Sequence, residues 1–77
     1  NPFNPTTTIR YAIPVDNFVS IKLYDVLGNE VITLVNEQKQ AGRYEMLFNA
    51  ANIASGVYYY QINSGVFTQT RKLMLMK

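Results

Sequence analysis

Seventy-seven residues carry neither cysteine nor histidine, which excludes disulfides, thiolate and imidazole metal sites and histidine acid–base chemistry. Apolar residues make up 48% and charged ones 16%, a balance that fits one small globular domain and argues against intrinsic disorder. Seven lysines and arginines against five acidic residues leave a net charge of +2, too little and too dispersed for a nucleic-acid footprint.

The opening Asn1-Pro2-Phe3-Asn4-Pro5 holds two prolines that fix φ and keep their preceding residues out of the helical region. It reads as a linker, residues 1–5, entering a single domain over 6–77, with Phe3 plugging one end of the core. The absence of an initiator methionine leads us to expect a piece of a longer polypeptide, with any export signal upstream. No apolar run approaches the ~20 residues of a membrane helix.

Thr6 to Ile13 alternates, with Thr7, Ile9, Tyr11 and Ile13 on one face and Thr8, Arg10 and Ala12 on the other. Pro14 stops that strand and Val15-Asp16-Asn17 makes the turn. Phe18 to Asp25 alternates again, Val19, Ile21 and Leu23 inward. Leu27-Gly28-Asn29 is the next turn, Gly28 and Asn29 being the residues best able to take positive φ. Glu30 to Asn36 is apolar on both faces (Val31 and Val35; Ile32 and Leu34), so its inner side is not assigned by pattern.

Glu37 to Gly42 is the most polar stretch and reads as a loop. Arg43 to Asn49 resumes a period of two, Tyr44, Met46 and Phe48 against Arg43, Glu45 and Leu47. Ala50 to Gly56 is too short for more than one helical turn and reads as a crossover loop whose Ile53 docks into the core. A C-terminal hairpin follows: Gly56 to Ile62, an Asn63-Ser64-Gly65 connection, then a proline-free run to Lys77. Tyr58, Tyr60 and Ile62 share its inner face, and Tyr59 points outward. With Leu73 and Leu75 inward, Met74 and Met76 form an outer apolar patch.

Short strands with turn signals every 8–12 residues predict an all-β fold, an immunoglobulin-like antiparallel β-sandwich of about seven strands in two sheets. A small barrel is the rival, because a period of two does not separate closure from stacking. No internal repeat is evident.

Catalytic chemistry is missing. Ser20, Ser55 and Ser64 have no histidine to serve them, and the five carboxylates fall in turns or on polar faces. Asp25, Asn29 and Glu30 flank a turn, yet their spacing matches no calcium loop. We therefore expect no enzyme activity, no cofactor, no metal and no nucleic-acid partner.

The residues Asn1 to Tyr11, Ile21-Lys22-Leu23-Tyr24-Asp25 before Gly28 and Val31, Ala41-Gly42 before Tyr44, Ala54-Ser55-Gly56-Val57-Tyr58, and the run Lys72 to Lys77 together resemble the type A C-terminal sorting domain of the type IX secretion system. That family is similar in fold to the Ig-like domain of the flagellar hook-capping protein. The resemblance implies an address label: an N-terminal cargo folds in the periplasm, an outer-membrane translocon recognises the domain, and a sortase-type peptidase removes it at the cell surface or outside the cell. It further implies that Gly56, Val57 and Tyr58, with the basic end at Lys72 and Lys77, take part in recognition. The outward Met74 and Met76 join them as candidate contacts, and an exposed edge strand offers a route to a homodimer. A structural Ig-like spacer, or a carbohydrate-binding accessory domain of a secreted hydrolase, are the alternative readings.

Overall fold

A computed structural model describes residues 6–76, so the expectations for the 1–5 linker, Phe3 and Lys77 lie outside the described residues. Six strands run through it: β1 (Thr6–Ile13), β2 (Asn17–Tyr24), β3 (Glu30–Lys39), β4 (Gly42–Asn49), β5 (Gly56–Ser64) and β6 (Phe67–Leu75). They form two separate antiparallel sheets, β1-β4 and β3-β2-β5-β6, so the fold is a sandwich and not a closed barrel.

Alternation explains which side chains meet between the layers. Ile9, Tyr11, Ile13 and Phe48 from the two-stranded sheet face Val19, Ile21, Leu23, Tyr58, Tyr60, Ile62 and Leu75 from the four-stranded one. Val19, Ile21, Leu23 and Ile62, on the central strands β2 and β5, have no measurable exposure. Leu47 and Tyr59 point outward, as the period of two requires. Ile53 packs half-buried against the core from the β4–β5 crossover.

Strand β3 differs from its sequence reading in two ways. Its apolar residues on both faces are explained by two bulges: Ile21 pairs with Val35 and Lys22 with Thr33, so Leu34 is skipped, and Leu23 pairs with Ile32 and Tyr24 with Glu30, so Val31 is skipped. An extra residue brings neighbours onto the same side of a strand, and adjacent Leu34 and Val35 both pack on the core. The stretch Glu37 to Lys39, expected as loop, continues the strand opposite Asn17 to Val19. It is polar because β3 is a sheet edge, where charged side chains also discourage pairing with other chains. The turn before β3 is built by Asp25, whose carboxylate accepts from the Leu27 and Asn29 N–H groups at 2.9 Å. Hydrogen bonds from Asn29 hold that carboxyl below the usual carboxylate range. Asn29 thus contributes hydrogen bonds and not the left-handed backbone expected of it.

One buried polar group has no partner among the described residues. Ser64 is 2% exposed and its hydroxyl makes no hydrogen bond. Replacing an unsatisfied hydroxyl by hydrogen removes a desolvation cost. Ser64→Ala is therefore expected to leave the urea midpoint unchanged or raise stability by up to ~1 kcal/mol; a loss larger than that in equilibrium unfolding contradicts the unpaired state.

Candidate functional site

The C-terminal hairpin turns at Gly65 and Val66 instead of across Asn63-Ser64-Gly65 as the sequence predicts, and this turn sets the register of β5 on β6. Gly56 lies opposite Leu75, Val57 opposite Met74, Tyr58 opposite Leu73 and Tyr59 opposite Lys72. Candidate residues read from two separate stretches are therefore cross-strand neighbours at one end of the four-stranded sheet. On its outer face Val57, Met74, Tyr59 and Lys72 sit side by side, and Tyr24 adjoins Tyr59 from β2. Met74 is 58% exposed and Met76, just past the strand, 81%.

Tyr58 is placed differently from the rest. It is buried, and its hydroxyl donates to the Ala54 carbonyl at 2.6 Å. A tyrosine bonded to backbone a few residues upstream is a known way of fixing a corner between sheets. That bond ties the start of β5 to the crossover before it.

The same device occurs twice, although no repeat is evident from the sequence. Gly42 and Gly56 each open a strand after a sheet-to-sheet crossover, with φ of 151° and 153°, a region costly for any residue with a Cβ. Two residues later Tyr44 and Tyr58 donate to the carbonyls of Gln40 and Ala54, each four residues upstream of the ring. The first crossover is also tied to the β1–β2 turn, since the Ala41 N–H donates to Asp16 Oδ1 at 2.7 Å. The Gly-x-Tyr spacing was the available signal.

Sequence reasoning also passed over Val26 and Leu27. They are exposed at 66% and 83% in the β2–β3 turn, which lies at the same end of the sheet as Gly56 and Leu75. Two adjacent apolar residues in a turn are the signal, since turns ordinarily draw polar ones. Among the described residues no group of acidic side chains is arranged to hold a metal ion, and the end of the sandwich offers apolar contact rimmed by Lys72. That is the chemistry of docking to another protein.

Searches of curated proteins and of solved structures returned no match to the chain. A family model described as secretion system C-terminal sorting domain matches residues 1–76, which takes in all six strands. The chain therefore belongs to the C-terminal sorting domains, the signals by which type IX secretion machinery delivers an N-terminal cargo to the cell surface or the extracellular space.

Proposed function

We propose that the domain, residues 6–77 behind a 1–5 linker, folds in the periplasm and is recognised by the outer-membrane translocon through its β5–β6 end. After passage a sortase-type peptidase detaches it from the cargo. The carrying observation is the register that sets Val57 against Met74 and Tyr59 against Lys72 on one exposed face. Gly56 and Tyr58 shape that face, Lys72, Met74 and Met76 provide its contact groups, and Lys77 is the further basic residue of the recognition set. The outer edge of β6 is unpaired in the sheet order and is where two copies would associate as a homodimer.

The test appends residues 1–77 to a periplasmic reporter in a bacterium with this pathway, beside a deletion of Arg71 to Lys77 and the variant Met74→Ser. The whole domain should deliver the reporter to the surface and the deletion should retain it. Met74 is more than half exposed, so Met74→Ser should melt like the parent yet lower delivery. Equal delivery by all three sinks the terminal-recognition reading.

A further inference from the structure

A two-stranded sheet covers a four-stranded one incompletely, and the uncovered part includes the inner face of β6. There Phe67, Gln69 and Leu73 are half-buried and Arg71 is exposed, although its register partner Tyr60 is buried. Arg71 and the strands β1 and β4 line an open groove of about 490 Å³, walled by Arg10, Tyr11, Ala12, Arg43, Tyr44 and Glu45. Three arginines from three strands thus line one concavity.

Their charges are mostly uncompensated. Arg10 Nε lies 3.0 Å from Glu45 Oε2, and that carboxylate is the single acidic group among the described residues lining the groove. Among the described residues neither Arg43 nor Arg71 has a carboxylate within ion-pair reach. Lys39, which packs 4.7 Å from the Tyr44 ring centre, is engaged with Glu37 at 2.8 Å. Burial raises the Tyr11 hydroxyl above its ordinary value, so it stays neutral.

We propose that this groove binds a phosphate monoester. Guanidinium groups present planar pairs of donors that match phosphate oxygens, and two without a carboxylate partner among the described residues balance a dianion where a carboxylate would leave one over. The volume exceeds that of a bare phosphate and falls within the range of small-ligand clefts, so the ester has room for a sugar-sized group. The site lies at β1, β4 and β6, apart from the Val57–Met74 face, and does not depend on how that face is read.

Titration of the 77-residue chain at low salt tests it, with Arg Nε–Hε resonances as readout. Glucose 6-phosphate should shift the Arg43 and Arg71 signals saturably and glucose should not. Arg43→Gln and Arg71→Gln should each weaken binding roughly five- to tenfold, Lys22→Gln should not, and affinity should fall as salt rises. Flotation with phosphatidylcholine vesicles, with and without phosphatidic acid, separates the sources: arginine-dependent retention there without response to the soluble ester places the monoester on a lipid. Equal response to both sugars, or variants that bind either probe as the parent does, overturns the site.

Discussion

Leu23→Ala is expected to unfold much of the domain at physiological temperature. Leu23 is fully buried on central strand β2, opposite Ile32 on one side and Tyr60 on the other. Truncating such a leucine costs about 2–5 kcal/mol through lost transfer energy and the cavity left behind. A core of this size, without a disulfide, supplies only about 3–5 kcal/mol in total. The two ranges overlap, so one side chain decides whether the fold persists. Urea unfolding followed by tyrosine fluorescence should show a transition shifted to very low denaturant or lost. Leu47→Ala is the control: Leu47 is 71% exposed on the outer face of β4, and its change should stay within about 0.5 kcal/mol. A Leu23→Ala protein within about 1 kcal/mol of the parent would mean the layers are not what holds the strands together.

The same physics explains what could be read before the structure. Val19, Ile21 and Leu23 announce themselves because one face of β2 is buried and side chains alternate with a strict period of two. Tyr58 and Tyr60 fall inward and Tyr59 outward for the same reason. β3 escapes this logic, since its two skipped residues, Leu34 and Val31, break the period without any glycine or proline to mark them. Glu37 to Lys39 misleads because polarity at a sheet edge looks like a loop when the partner, Asn17 to Val19, is distant in sequence.

At the candidate site the β5–β6 hairpin was within reach of the sequence but its register was not: a connection at Asn63 to Gly65 would set Gly56 opposite Lys72, whereas the turn at Gly65 and Val66 sets it opposite Leu75. The burial of Tyr58 against the Ala54 carbonyl was not within reach either, because it depends on the crossover path between sheets. The arginine groove was the least legible feature. Arg10, Arg43 and Arg71 come from β1, β4 and β6, and only the sandwich itself makes them neighbours.

Gly56→Ala is expected to lose surface delivery beyond what its stability change explains. At φ +153° alanine is strained by about 1–3 kcal/mol. A Cβ there meets Tyr58 Cε2 only at 3.9 Å, so the cost lies in the backbone and not in crowding. Relief of that strain moves the start of β5, and with it Val57 and the pairing to Leu75 and Met74. Gly42→Ala provides the matched comparison, since φ is +151° and no atom lies within 4 Å of its Cβ position. Gly42 opens β4 next to Ala41, which is bonded to Asp16, at the opposite end of the sandwich from Leu75. Both variants should lose similar stability in urea, and Tyr58→Phe should lose about 0.5–1.5 kcal/mol by giving up its bond to Ala54. Compared at equal folded fraction, the reporter should reach the surface less with Gly56→Ala than with Gly42→Ala. Equal delivery by the two would make the sorting signal a matter of foldedness alone, with no privileged role for the end where β5 meets β6.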